Sequence, residues 1–404
     1  MIENANPYGK IRRFQAKSPQ ARAWALVDLD ALRCNYRLLT HGLQEGARPI
    51  AVLKANAYGH GALPCAQVLW EAGCDRFAVA TLEEGEELSS FLHRQRARAE
   101  ILILGYTPPN CAHRLCRSRL TQTLLSHSYA LELNRSAARL GARISCHVAL
   151  DTGMNRIGIC ARHPAELPRA AEELAQLMRL PHLRVTGTFT HFSMASSPDG
   201  EMFTNQQVAQ FLALRQILEK KGLPLPFCHL CNSSATLLGR APHADGVRLG
   251  IALFGAGGDF SRALPLRPVM RLQARIVHLH PVSPGDPVGY DGAWVTRRKG
   301  QIATLSIGYA DGLLRGYGGA PVTVHTQKGD RTAPLVGRIC MDQCMADVTG
   351  LEARVGDVVT FFGQSPSTLA QYAARAGTID YESLCLLSSR VKRIYVKKRR
   401  KTNR

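Results

Sequence analysis

Between residues 50 and 252, short apolar, β-branched runs alternate with segments of helical periodicity. The runs are 50–53, 77–80, 101–104, 121–125, 144–150, 185–190, 227–231 and 247–252. Helical patterns separate several of them, at 83–93, 164–178 and 205–221, the last ending at Gly222 as a helix C-terminus favours. Eight strand–helix units in succession predict a (β/α)8 barrel, because parallel strands need helical crossovers and a closed sheet leaves no edge. Before them, Trp24 to Asp30 reads as a short strand running into a helix at about 31–43. From Arg267 onward strand follows strand, with turn signals at Ser283-Pro-Gly-Asp, Lys328-Gly-Asp and Gly356-Asp, and one clear helix around 367–376. The expected fold class is α/β, an N-terminal (β/α)8 barrel followed by a mainly β C-terminal domain. The expected boundaries are 1–22 for a polar extension, 23–262 for the barrel, 263–396 for the β domain and 397–404 for a basic tail.

The 404 residues, 45% hydrophobic and 20% charged, can fill two cores rather than one. No apolar run approaches the roughly 20 residues of a membrane span, and the N-terminus lacks the apolar stretch of a secretory signal, so a cytoplasmic protein without membrane contact is expected. The formal net charge is +20, and nine of the last fifteen residues are Lys or Arg. No aromatic residue interleaves with the run from Lys397 to Lys401, so a solvated tail is expected and nucleic acid is not an expected partner. Of the twelve cysteines, Cys228 and Cys231 form a C-x-x-C without the second pair that a structural zinc site requires. Free thiols and no metal are expected.

A barrel enzyme carries its chemistry on the loops after its strands. After the first run stands Lys54-Ala-Asn-Ala-Tyr58-Gly-His-Gly61, and after the fifth Asp151-Thr-Gly-Met-Asn-Arg156. After the sixth come His191 and Ser193, after the seventh Asn232-Ser233-Ser234, and the eighth holds Arg248 and Gly250. A lysine closing a buried strand is costly to bury as a cation, and desolvation frees its amine to form a Schiff base. A lysine that merely snorkels to the barrel mouth is the plainer alternative. Ser233, Ser234 and Gly250 follow the seventh and eighth strands, where barrels often cradle phosphate. A Schiff-base lysine with a phosphate cradle points to pyridoxal phosphate.

These residues resemble the alanine racemase family. The run from Ala51 through Lys54 to Gly61 is similar to its cofactor-lysine signature. Asp151-Thr-Gly-Met-x-Arg156, Thr190-His-Phe192, Asn232-Ser233, Val247-Arg-Leu-Gly250-Ile251 and Val288-Gly-Tyr290 follow in the family's order. So do Ile307-Gly-Tyr309-Ala-Asp-Gly312, Arg338 to Asp347 and Asp380-Tyr381-Glu. The resemblance implies that Lys54 holds pyridoxal phosphate and acts as base on the D-alanine side, with Tyr290 as base on the L side. It implies that Tyr290 comes from a partner subunit of a homodimer with shared active sites. A phenol with an ordinary pKa near 10 is a poor base, and His191 matches the histidine that assists it. Arg248 matches the residue facing the pyridine nitrogen, where a permanent cation disfavours a further proton. Tyr58, Asn232, Ser233, Gly250, Ile251 and Tyr381 match cofactor contacts. Arg156, which also faces the cofactor, and Met341 match substrate-binding positions, while Tyr309, Arg315, Arg338 and Asp342 match an access corridor and its polar support.

One departure stands out. Many family members carry a lysine, often carbamylated, where this chain has Ala149, so Arg156 must be oriented by another group. Alanine is the expected small-molecule substrate and D-alanine for peptidoglycan the expected product, with catabolism of D-alanine as the other role. A serine or broad-specificity racemase, and a pyridoxal-phosphate binder without turnover, are the alternatives; the β domain with Tyr290, Tyr309 and Met341 is more than a binder needs.

Overall fold

The computed structural model of the chain describes residues 21–363 and 367–397, and the side chains of 260–262 lie outside that description. The first strand, β1 (Ala23–Asp28), runs into the helix Leu29–His41, with Asp28 capping it by accepting from the backbone N–H of Asp30 and Ala31. Then come β2 (Arg48–Val52), β3 (Arg76–Val79), β4 (Glu100–Ile103), β5 (Thr121–Leu124) and β6 (Ile144–Asp151). A two-residue strand β7 (Ile159–Cys160) precedes β8 (Leu183–Phe189), β9 (Cys228–His229) and β10 (Gly246–Leu249). Eight of these close a parallel barrel in the order β2-β3-β4-β5-β6-β8-β9-β10 and back to β2, while β7 adds a short parallel edge to β6. All eight apolar runs of the sequence are barrel strands.

The intervening helices carry their own start signals. Thr81 accepts from the Glu84 backbone while the Glu84 carboxylate returns to the Thr81 backbone, a reciprocal cap for the helix Leu82–Arg94. Ser126 caps the helix His127–Arg139. The helix Leu167–Met178 buries Leu167, Ala170, Ala171, Leu174 and Leu177, a single stripe at three- and four-residue spacing laid on the sheet. The inside of the barrel is less uniform, for Gln122, Thr123, His147, Thr188, His229 and Arg248 are all buried among the aliphatic side chains.

The second sheet is built from β11 (Met270–Val282), β12 (Pro287–Val288), β13 (Trp294–Val295), β14 (Gly300–Leu305), β15 (Pro321–Thr326), β16 (Gly329–Val336), β17 (Cys344–Asp347), β18 (Val358–Phe362) and β19 (Lys392–Val396). The pair β12–β13 stands as its own ribbon, and the other strands take the order β14-β17-β16-β15-β18-β11-β1-β19. Although residues 23–262 read as barrel, β1 pairs antiparallel with β11 and parallel with β19, inside the second sheet. Ala23, Trp24, Ala25 and Val27 are all buried, so the strand is apolar on both faces and its pattern does not say which sheet it joins. The expected helix is Leu369–Arg375, and a further helix, Asp380–Cys385, was too short for periodicity to reveal.

Most of the polar extension and of the basic tail, residues 1–20 and 398–404, lies outside the described residues. The flanks of those segments are tied down: Arg22 grips Asp311 through two hydrogen bonds of 3.0 and 2.5 Å, and Lys397 meets Glu71 at 2.9 Å. Among the described residues no helix is long and apolar enough to cross a membrane. All twelve cysteines are free thiols.

Candidate active site

Lys54 follows β2 and opens a turn that the sequence does not announce. Ala55, Asn56, Ala57 and Tyr58 all have positive φ, between +50° and +56°, a left-handed turn without glycine. Each such residue costs roughly 1–2 kcal/mol, so the surroundings must impose the conformation. Glu84 accepts from the Ala55 N–H at 2.6 Å, Asn56 accepts from the Ala62 N–H at 2.8 Å, and Arg393 donates to the Gly59 carbonyl at 2.8 Å. His60 places Nδ1 3.0 Å from the carbonyls of both Ala57 and Tyr58, and burial lowers its pKa to about 4, so a neutral ring donates there. At Gly59, with φ +78°, a Cβ would sit 2.3 Å from the Leu384 carbonyl oxygen, which explains the glycine and seats the helix Asp380–Cys385 on the turn.

The turn places Lys54 in a cavity of about 390 Å³ at the C-terminal mouth of the barrel. Tyr58, Arg156, His191, Asn232, Ser233, Arg248, Gly250, Ile251 and Tyr381 line it too, so most candidates drawn from the barrel loops meet in one place, while Ser193 and Ser234 are not in its lining. Tyr381 reaches it from the second domain, edge-on to Tyr58 with ring centres 6.0 Å apart. Three cations and no carboxylate line this cavity. Burial first, then the Arg156 charge, hold the Lys54 ammonium below the usual lysine range, and the Arg248 charge acts in the same direction. The pocket therefore makes the amine easier to deprotonate and favours anionic ligands.

On the opposite wall Gly250 donates its N–H to Ser233 Oγ at 2.9 Å. A Cβ on Gly250 would lie 2.4 Å from the Tyr58 hydroxyl, so only glycine lets that hydroxyl and this backbone converge. The cradle fits a phosphate: the Tyr58 hydroxyl, Ser233 and the glycine backbone at Gly250 line a cationic cavity. Asn232 lines the cavity, yet its side-chain oxygen accepts from Ser234 Oγ at 2.9 Å and the Ala235 N–H at 3.0 Å, which makes it a cap for the short helix Ser233–Leu237.

Arg248, 4% exposed, is held from within the barrel. Its guanidinium donates to the carbonyls of His229 (2.6 Å), Thr190 (2.7 Å) and Leu230 (2.8 Å), and faces His229 Nδ1 at 2.8 Å and His191 Nδ1 at 3.4 Å. Burial lowers its pKa to about 10, which leaves it a cation. An arginine only donates, so its facing imidazole nitrogens accept and each neutral ring carries its proton on Nε2. The pattern propagates. His229 Nε2–H points to His147 Nδ1 at 2.9 Å, and His147 Nε2–H to Glu100 Oε1 at 3.1 Å, where Arg76 pairs with the same carboxylate group. Burial and the Arg248 charge push His191 and His229 well below the usual histidine range, consistent with neutral rings. Sequence reading missed His147, His229 and Glu100; the available signal was a histidine inside two otherwise apolar strand runs.

The loop bearing Arg156 is shaped by Asp151, which accepts from the backbone N–H of Gly153 (3.1 Å) and Asn155 (2.9 Å). Gln207, also missed, ties Thr152 to the His191 carbonyl at 3.2 and 3.1 Å. Ala149 is buried on β6, and among the described residues Arg156 has no ion-pair partner.

The candidates of the second domain stand apart. Tyr290, Met341 and Asp342 line a separate cavity with Cys340, Gln343 and Met345, which shares no residue with the Lys54 cavity. Tyr290 is 66% exposed, Met341 53% and Tyr309 43%. Asp342 pairs with Arg390 at 2.6 Å, and Arg338 with Asp291 at 2.9 Å. Within a single chain the cavity around Lys54 and the open one around Tyr290 are thus two separate places.

A family profile described as the N-terminal domain of alanine racemase matches residues 27–257, and one described as its C-terminal domain matches 269–395. A protein named alanine racemase from Desulfovibrio desulfuricans is 39% identical over 377 residues, spanning 92% of this chain and 98% of that one. Among solved structures, alanine racemase of Clostridium difficile 630 superposes with a TM-score of 0.85 at 34% identity, over 94% of this chain and 97% of its own. Alanine racemase from Bacillus anthracis with bound L-Ala-P superposes at 0.83 and 31% identity, over 94% and 96%.

Proposed function

This chain belongs to the alanine racemase family, and we propose that it interconverts L-alanine and D-alanine with pyridoxal phosphate held at Lys54 and a second base, Tyr290, supplied by another copy of the chain. The observation that carries the reading is the cavity that joins Lys54, Arg156 and Arg248 without a carboxylate. Burial and the Arg156 charge make the Lys54 amine easier to deprotonate than an exposed lysine, Ser233, Gly250, Ile251 and Tyr58 offer the phosphate its cradle, and Arg156 is free to bind the substrate carboxylate. When bound, pyridoxal phosphate supplies an electron-withdrawing ring that acidifies the α-hydrogen of the attached amino acid.

Racemisation needs a proton removed on one face and returned on the other, so two bases must flank the reacting carbon. The Lys54 amine serves the D face. Tyr290 serves the L face, and because its cavity in the same chain is a separate and open one, the partner of a two-fold dimer would bring it to Lys54. His191 presents Nε2–H to the pocket side because Nδ1 faces Arg248. An N–H donor stabilises a phenolate oxygen over a phenol, which is the help a tyrosine base needs. Arg248 keeps its charge and has both terminal nitrogens committed to protein acceptors, so it accepts no proton and disfavours one on a cofactor ring nitrogen facing it. The physiological role that follows is supply of D-alanine for peptidoglycan.

Chiral analysis of product from the chain loaded with pyridoxal phosphate tests the reading. D-alanine from L-alanine, formed much faster than D-serine from L-serine, is expected. Faster D-serine moves the substrate to serine, and no D-product from either overturns the two-base assignment.

A further inference from the structure

At the end of the barrel opposite Lys54, where β3 to β6 begin, lies a larger cavity of about 800 Å³. Arg98, Arg119, Arg143 and Arg184 line it, and it shares no residue with the Lys54 cavity. All four are exposed. Other arginines at or near this end are matched to acids: Arg48 to Asp75, Arg76 to Glu100, and Arg114 and Arg117 to Glu86. Among the described residues none of the four meets a carboxylate. Arg143 donates only to the Leu183 carbonyl (3.2 Å) and Arg184 only to Ser145 Oγ (2.8 Å), which leaves most of their N–H groups, and those of Arg98 and Arg119, free for a ligand.

Helices of a barrel end at this face, and their C-terminal carbonyls attract some positive charge. That accounts for about half a charge per helix, or about two charges for the four helices that lead into β3 to β6, about half of the four unmatched guanidinium groups around this cavity. Arg119 adds a second sign. It has φ +52° just past the helix Ala112–Arg117, the left-handed position that glycine fills at least cost, and the chain places a guanidinium there instead. With Asp75 and Glu100 counted against Arg76 and the four, the lining carries five cations and two anions, a net of +3.

We propose that this cavity is a binding site for a small multivalent oxyanion, of the di- or triphosphate or tricarboxylate kind, separate from the racemase site. Guanidinium forks match such oxygens in pairs, and several forks around one concave surface select a ligand with several charges over a monovalent one. Glu100 stands in the lining and also ends the hydrogen-bonded series from Arg248, so the site abuts the buried groups that hold Arg248.

The test is calorimetric titration of inorganic pyrophosphate into the chain saturated with pyridoxal phosphate, at constant ionic strength, with citrate and acetate as parallel titrants. Saturable binding of pyrophosphate, citrate or both, and not of acetate, is expected; which of the two binds tells phosphate from carboxylate ligands. The R98S/R119S and R143S/R184S variants should each bind at least tenfold more weakly. R331S/R354S, which removes two exposed arginines of the second domain, should bind as the parent does. Absence of saturable binding by either multivalent anion overturns the proposal, as does equal weakening in R331S/R354S or unchanged binding in R98S/R119S. None of these outcomes depends on racemase turnover, so failure here and failure of the proposed reaction are told apart.

Discussion

Arg248 faces Nδ1 of His229 at 2.8 Å, and none of the five acceptors around its guanidinium is a carboxylate. A buried cation is thus held by carbonyls and neutral rings whose proton positions it dictates, and the order runs on through His147 to Glu100. Removing one ring strands donors and acceptors on both sides, at about 1–3 kcal/mol for a buried group. His229→Leu and His147→Leu should each lower stability by that amount, measured by urea unfolding, and reduce the racemisation rate. Because the two rings act in one series, the double variant should cost less than the sum of the singles. Additive effects in the cycle would mean that the rings act independently.

His60, His191 and His229 share a property with a pH consequence. Burial first lowers all three below the ordinary value of 6.5, His60 to about 4. Below pH 6.5 the unfolded chain takes protons on these rings that the folded chain refuses, so their contribution is full above that value and lost as pH falls. For His60 alone the loss between pH 7.5 and pH 5 is about 2 kcal/mol. His60→Asn, whose amide nitrogen takes the place of Nδ1 and can still donate to the Ala57 and Tyr58 carbonyls, should flatten the pH dependence of the unfolding free energy in urea by about that amount over this range. An unchanged slope would show that His60 takes up a proton in the folded chain.

The departure at Ala149 leaves Arg156 lining the cavity without an ion-pair partner among the described residues. An Ala149→Lys variant offers a group that can become anionic next to the Arg156 loop. A large change in KM for alanine is expected from steady-state rates in both directions. If neither KM nor kcat moves, position 149 has no influence on the substrate arginine.

How far the sequence discloses this arrangement depends on the kind of contact. The eight barrel strands and the loop residues after them were legible, because burial on both faces imposes apolar runs such as 50–53, and chemistry on a barrel gathers where those runs end. The location of β1 was not. Its two apolar faces suit either sheet, and the choice falls to β11 and β19, which lie some 250 residues or more further on by the order of elements. The left-handed turn after Lys54 was hidden for a similar reason, since Ala55 and Ala57 have no local preference for positive φ and owe it to Glu84, Arg393 and the Leu384 carbonyl. The helix Asp380–Cys385 was missed while its Tyr381 was found, because the residue belongs to a recognisable motif and six residues are too few for a period.

The two separate cavities give the most direct test of the proposed arrangement, that Lys54 of one chain works with Tyr290 of another. A Lys54→Ala chain and a Tyr290→Phe chain, each inactive alone, are co-expressed in equal amounts and the racemase activity of the purified mixture is measured. In a mixed dimer with shared sites, one site joins both defects and the other joins an intact Lys54 with an intact Tyr290. With half the dimers mixed, the account predicts recovery of about a quarter of the parent activity per chain. A mixture as inactive as its components would contradict it, because every site would then draw both bases from a single chain.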